Sequence, residues 1–152
     1  MEGINELSSD YSTRSKLHSG ANWFYWLAAL SIINSLVVFY FDTRNSFIAL
    51  GITQGVDGTS GGLSREGFTP PLSVIGLMVN LLIALGFAGF GYFARHRHDF
   101  AFVIGMGLYV VDALLVLGLK DFFGFGFHMI ALFFIFKGLL ASRHLRENAT
   151  TI

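Results

Sequence analysis

The sequence predicts an all-α integral membrane protein, a four-helix bundle with its N- and C-termini both on the cytoplasmic side. Hydrophobic residues make up 53% of the 152 residues and charged residues only 13%, against a charged share of about 25% in soluble domains. Four apolar runs are each close to the ~20 residues that an α-helix needs to cross ~30 Å of hydrocarbon. Lys and Arg concentrate on one side of these runs, which orients them.

The four apolar runs define a predicted membrane domain. Their bounds are 21–41, 71–93, 101–119 and 122–140. Each run must be helical, because lipid offers no hydrogen-bond partner to an exposed backbone. Only Lys120 and Asp121 separate the third run from the fourth, which predicts a tight antiparallel hairpin. Pro70 and Pro71 suit the start of the second helix, since Pro is tolerated in a first turn.

The basic residues set the orientation of the helices. Seven of the ten Lys and Arg residues lie near one side of the predicted membrane, and the other three are Arg44, Arg65 and Lys120. Cytoplasmic flanks carry an excess of Lys and Arg. We therefore expect the polar N-terminus, 1–20, and the C-terminal tail, 141–152, to lie in the cytoplasm.

The one long connection, 42–70, is then extracytoplasmic. Its segment 47–56 (FIALGITQGV) mixes large apolar residues with glycine, which suits an interfacial or partly re-entrant position. Gln54 and Asp57 border the apolar part of this loop. They are candidates for a lid over the polar layer described below, with turn or capping residues as the simpler alternative.

Composition excludes several kinds of chemistry. The chain has no Cys, which removes disulfides, thiolate metal sites and thiol nucleophiles. Acidic and basic residues are equal at ten each, so net charge predicts no nucleic-acid partner. His128 is the one histidine within the predicted spans, and the other four lack a recognised ligand spacing. We therefore predict no metal and no cofactor.

Two ionisable side chains, Asp112 and His128, lie at bilayer depth within the predicted spans, whereas Lys137, near the inner end of the fourth span, can extend its charge to the interface. Such groups are costly at bilayer depth and normally face protein or water. Each is eight residues from Lys120 at the hairpin tip, so both lie ~12 Å from the outer ends of their helices at 1.5 Å per residue. Because they share a depth on neighbouring helices, the sequence predicts a hydrogen bond between them.

The first two helices add polar residues at a similar depth. Asn34 and Asn80 both fall ~10–14 Å from the outer boundary, so each of the four helices contributes one strongly polar group to an intramembrane layer. Tyr109 lies three residues before Asp112 on the same helical face. We expect its hydroxyl to join the network.

Three functions fit this polar layer. The polar groups can simply hold the helices together by hydrogen bonds, form a proton or ion pathway, or bind a ligand or lipid headgroup. An enzyme is disfavoured, because the third and fourth helices offer no nucleophile at the depth of the Asp–His pair, and Ser31 and Ser35 have no supporting motif. The functional hypothesis is a pore-like or carrier-like protein for protons or a small solute, forming a homo-oligomer within the lipid bilayer. The alternatives are a non-catalytic subunit or scaffold for other membrane proteins, and a lipid-binding protein.

Three short motifs resemble small four-helix bacterial membrane proteins that have no established activity. They are GITQGVD at 51–57, GMGLYVVD at 105–112, and Phe127 and His128 before ALFFIFKG. The resemblance spans roughly 47–138 and implies a multi-pass topology in a bacterial plasma (inner) membrane. The chain differs from the small multidrug transporters, which are similar in size but place a membrane Glu in the first helix. Here the first span has no acid.

Overall fold

In a computed structural model the chain folds into four α-helices. They are α1 (Glu2–Phe41), α2 (Pro71–Arg95), α3 (Asp99–Gly118) and α4 (Phe122–Thr150). The structure describes the backbone of residues 2–41, 71–118 and 120–150, and the side chains within 8–37, 74–118 and 120–148. The predicted loop 42–70, with Gln54 and Asp57, lies outside the described residues. The predicted all-α class is confirmed for the part of the chain that is described.

Three of the helices are long and apolar enough to cross a membrane. The candidate spans are Val74–Arg95, Asp99–Gly118 and Phe122–Asn148. The helix α1, which contains the first predicted span, is not among them over its described residues. Three candidate spans with apolar outward faces support a membrane protein with transmembrane helices.

Two helices extend well beyond the predicted spans. The predicted polar N-terminus is helical from Glu2, and α4 continues through most of the predicted tail to Thr150. The extensions pack on each other, with Leu17 buried against Ala141 and Leu145. An apolar run marks only the part of a helix matched to lipid, so it does not show where a helix with a polar outer face ends.

The helices form a closed ring in which each packs on two others. Close packing joins α1 to α2 and α4, and α3 to α2 and α4. Paired contacts show antiparallel neighbours: Asn80 bonds to Ser35, whereas Gly91, later in α2, faces Tyr25, earlier in α1. We call the end with Phe41, Pro71 and the α3–α4 turn the loop end, and the opposite end the terminal end.

The buried face of α1 explains why it belongs to the bundle. Its buried side chains recur every three or four residues, as expected for one face of a helix. They are Leu17, Ala21, Phe24, Leu27, Ala28, Ser31, Asn34 and Ser35. The apolar half of this face packs against an aromatic cluster. The centroid of the Phe24 ring lies 6.1 Å from that of Phe102 and 6.4 Å from that of Phe87. The polar half, from Ser31 onward, lies toward the loop end.

Both short turns end a helix in the same way. The N–H of Lys120 donates to the Leu117 carbonyl and that of Asp121 to the Val116 carbonyl, the hydrogen bonds of a Schellman motif. Lys120 has a φ of 62°, a left-handed conformation that usually carries Gly. Arg97, in the turn that follows α2, has the same φ of 62°. The hairpin predicted at Lys120 and Asp121 is confirmed.

Replacing Lys120 with Gly is expected to stabilise the protein. A side chain in the left-handed region costs roughly 1–2 kcal/mol, part of which Gly returns through the greater freedom of its unfolded chain. We expect a net gain of about 0.5–1 kcal/mol, measured as the free energy of unfolding in mixed detergent micelles. Lys120→Ala is the control, because it removes the charge and keeps the strain. Equal stability of the Gly and Ala variants would show that φ is not the cause.

Candidate functional site

Asp112 and His128 form a buried pair at the interface of α3 and α4. Each is 1% exposed, and the distance from His128 Nε2 to Asp112 Oδ2 is 2.8 Å. The other ring nitrogen, Nδ1, lies 2.7 Å from the Gly124 carbonyl oxygen, one turn earlier in α4. The hydrogen bond predicted from equal depth is therefore present.

The partners of the ring fix the number of protons on the pair. A carbonyl oxygen only accepts, so Nδ1 of His128 carries a hydrogen and donates it to Gly124. One more proton is needed between Nε2 and the Asp112 carboxyl, since two lone pairs at 2.8 Å would repel. That proton lies either on the ring, giving an imidazolium–carboxylate pair, or on the carboxyl, giving two neutral groups. Both forms have zero net charge, and they differ by transfer of one proton.

Tyr109 contacts the Asp112–His128 pair through its aromatic ring. The Tyr109 and His128 rings stack with centroids 4.5 Å apart and planes 14° apart. The Tyr109 hydroxyl is buried and has no hydrogen-bond partner among the described residues. The prediction that this hydroxyl joins the network is therefore not met there. Spacing placed Tyr109 on the correct face of α3, but the aromatic ring, rather than the hydroxyl, reaches the histidine.

The first two helices contribute a second buried hydrogen bond. Asn80 Nδ2 donates to Ser35 Oγ over 3.0 Å, and both side chains are buried, as are Asn34 and Ser31. All the predicted layer residues that the structure describes are thus inside the bundle. Ser31 and Ser35 were missed as members of the layer. Their spacing with Asn34, one helical turn on one face of α1, was the available signal.

The polar layer lies in the loop half of the bundle and an aromatic layer lies beyond it. From the Asp112–His128 pair toward the terminal end, the interior is filled by the rings of Tyr109, Phe87 and Phe24. Tyr109 and Phe87 meet edge to face at 6.2 Å, and Phe24 lies against Phe87. In the loop half the buried groups of α1 and α2 are also polar, namely Ser35, Asn34 and Asn80. The interior is therefore asymmetric along its length, with buried polar groups in the loop half and an apolar barrier toward the terminal end.

A separate polar cluster joins α3 to α4 at the terminal end. Asp99 Oδ1 accepts a hydrogen bond of 2.6 Å from the Ser142 hydroxyl, and Asp99 Oδ2 lies 2.7 Å from Arg146 Nη2. The Asp99 side chain is mostly buried, whereas that of Arg146 is exposed. Because Asp99 also begins α3, this cluster fixes the start of α3 against α4. Sequence reasoning did not single out these three residues.

The remaining histidines lie at the terminal end. His18 is on α1, His96 and His98 are in the α2–α3 turn, and His144 is on α4. His96 Nδ1 lies 2.8 Å from the Tyr92 carbonyl oxygen. Among the described residues, no group of three or more His, Asp or Glu side chains is arranged to hold a metal ion.

Comparison with protein-family models, with curated proteins and with solved structures finds no match for this chain. The class that the fold and site define is therefore a helical protein with three candidate membrane spans and a buried, proton-sharing Asp–His pair. Its function is argued from that site alone.

Proposed function

We propose that the chain is a four-span membrane protein that moves protons, or a small solute coupled to them, through its Asp112–His128 pair. The observation that supports this is the hydrogen bonding of His128, which requires one proton to be shared with Asp112. In its imidazolium–carboxylate form the pair can take up one further proton at the Asp112 carboxylate, which gives the pair a charge of +1, and it returns to zero net charge when it releases one. Ionisable groups inside membranes commonly serve in proton relays.

The fourth span in this proposal is α1. It is 40 residues long, so at 1.5 Å per residue it exceeds the thickness of a bilayer. Its side chains at Trp26, Ile33 and Leu36 are exposed on the outside of the bundle, where lipid would cover them. With α1 across the membrane, both termini lie on the side that carries most of the Lys and Arg, which the positive-inside rule makes cytoplasmic.

The asymmetry of the interior sets the direction of access. The loop half of the interior holds the buried polar side chains of Ser35 and Asn80, so in this proposal protons or a polar solute reach the pair from the extracytoplasmic side. Release toward the cytoplasm requires Tyr109, Phe87 and Phe24 to separate, because their rings fill the interior there. The aromatic layer then acts as the closed gate of a carrier in a bacterial plasma membrane. Four helices enclose little volume, which favours a homo-oligomer.

The variant Asp112→Asn tests this proposal with little change in geometry. The Asn amide donates to Nε2 of a neutral His128 while Nδ1 keeps its bond to Gly124, so every group stays paired. No transferable proton remains on residue 112. In proteoliposomes with an internal pH-sensitive dye, we expect the proton flux of the variant to fall to that of empty vesicles.

The matched control is Asp99→Asn, which neutralises a mostly buried acid at the terminal end, away from the layer. We expect its flux to remain near that of the unmodified protein once reconstitution is equalised. Equal flux in the Asp112→Asn variant and the unmodified protein would contradict the proposal.

A second candidate function is purely structural. Both ring nitrogens of His128 are bonded within the bundle and its face is covered by Tyr109, which fits a packing element in a membrane subunit or scaffold. Under that alternative the unmodified protein carries no flux above empty vesicles, and it purifies with other membrane proteins at native expression.

A further inference from the structure

A long groove follows the outward face of α1 from Tyr11 to Leu30. Its volume is about 850 Å³. It is lined by Tyr11, Arg14, Ser15, His18, Ser19, Asn22, Trp23, Trp26 and Leu30 of α1 and by Phe127 of α4. Tyr11 and Leu30 are nineteen residues apart, so the groove is ~28 Å long at 1.5 Å per residue. One leaflet of a ~30 Å hydrocarbon layer is ~15 Å thick, so the groove is long enough for a headgroup and part of an acyl chain.

The lining changes from polar to apolar along the groove. The part nearest the terminal end contains Arg14, His18 and Asn22, whereas the part toward the middle of the bundle contains Trp26 and Leu30. One wall of the apolar part is held in place by ring stacking. The Trp23 ring stacks on the Phe134 ring with centroids 5.2 Å apart and planes 13° apart. Trp23 also lies 6.1 Å from Phe127. Such a lining suits a ligand that has a charged headgroup at one end and an apolar tail at the other.

Positive charge gathers at the polar part of the groove. A smaller pocket of about 170 Å³ shares Ser15 and Ser19 with the groove and adds Lys16 and Lys137. Arg14 is paired with Asp10 through a bond of 2.8 Å, but both side chains are about half exposed. An exposed pair of this kind contributes little and exchanges partners readily. Two lysines and one arginine are thus available around two serine hydroxyls.

We infer that this groove binds one anionic phospholipid of the surrounding bilayer. The phosphate lies against Lys16, Lys137 and the serine hydroxyls, and one acyl chain follows Trp26 and Leu30. Charge complementarity selects the lipid, since basic groups near a membrane surface attract anionic headgroups. The inference rests on the membrane placement in the proposed function, but not on proton transfer.

The two tryptophans of the chain provide a direct test. Trp23 and Trp26 are the only tryptophans, and both line the groove, so the intrinsic fluorescence reports on this site. The protein is reconstituted in phosphatidylcholine with a small mole fraction of phosphatidylglycerol brominated on its acyl chains, which quenches nearby tryptophan. The reverse mixture, brominated phosphatidylcholine in phosphatidylglycerol, gives the comparison. We expect quenching by the anionic lipid to be several-fold stronger at equal mole fraction.

In the double variant Lys16→Gln with Lys137→Gln, we expect the two brominated lipids to quench the tryptophan fluorescence equally. Both lysines are exposed, so the bundle is expected to fold, which circular dichroism checks. Lys120→Gln at the loop end is the matched control and should keep the preference. Equal quenching of the unmodified protein by the two lipids would overturn the lipid site and leave the membrane placement intact. No quenching by either lipid would overturn the membrane placement. If the protein is instead found as a homodimer that shields both tryptophans from lipid, the occupant of the groove is a second copy of the chain and not a lipid.

Discussion

Replacing Asp112 with Leu is expected to lower the free energy of unfolding by about 3–5 kcal/mol, the range found when one partner of a buried ion pair is removed. The Asp112 carboxyl is the partner of His128 Nε2, and both side chains are buried. Without it, the ring keeps one buried nitrogen facing apolar surroundings, and an unsatisfied buried polar group is costly. Reversible unfolding in mixed detergent micelles, followed by circular dichroism, measures the difference.

Asp112→Asn serves as the control in the same experiment. Its amide donates to Nε2, so we expect it to lose less than half as much stability as the Leu variant. A double-mutant cycle with His128→Leu isolates the pair itself. Because the doubly apolar variant leaves no unpaired group, its loss should be smaller than the sum of the two single losses. Additive losses would show that the hydrogen bond contributes little and that each side chain acts through packing alone.

The Asp112–His128 pair was predictable because the connection between its helices is short. A turn of fixed length sets the register of the two helices that it joins, so residues equally far from Lys120 lie at the same depth. Two ionisable residues at that depth both turn away from lipid, which brings them together. The partner of Asn80 was not predictable in this way. The predicted loop 42–70 separates α1 from α2 and imposes no register, and several polar residues of α1 were equally suitable. Only the structure selects Ser35.

The terminal half of the molecule was harder to predict from the sequence. Apolar runs located the candidate spans of α2, α3 and α4 correctly, but they gave no reason to continue α1 back to Glu2. The reason lies in contacts distant in sequence, such as Leu17 against Leu145. The groove on α1 depends on the same extension, since the residues at its polar end belong to the segment 1–20, which the sequence predicted only as a polar cytoplasmic flank.

Two helices approach each other closely at Gly20 of α1 and Gly138 of α4. A Cβ added at Gly20 would lie 2.5 Å from the Gly138 Cα, and one added at Gly138 would lie 2.8 Å from the Gly20 Cα. The atoms nearest to a Cβ at Gly20 all belong to the backbone, and a Cβ at Gly138 meets the Gly20 backbone as well as the buried Phe102 ring, so side-chain rotation alone does not relieve the clash. Small residues that let backbones approach are a common basis for helix packing in membranes. This crossing was not apparent from a sequence in which the two glycines are 118 positions apart.

Gly138→Leu is therefore expected to force α1 away from α4 and to destabilise the protein by about 3 kcal/mol, the upper part of the range for overpacking. Separation at this point also disturbs the stacking of Trp23 on Phe134, so the emission maximum of the tryptophans should shift together with the loss of stability. Gly86→Leu is the matched control, because a Cβ there meets no atom within 4 Å. It should be nearly neutral, since the new side chain points outward. Equal stability of the two variants would mean that the α1–α4 crossing does not hold the bundle together, and that the interfaces of α1 with α2 and of α3 with α4 suffice.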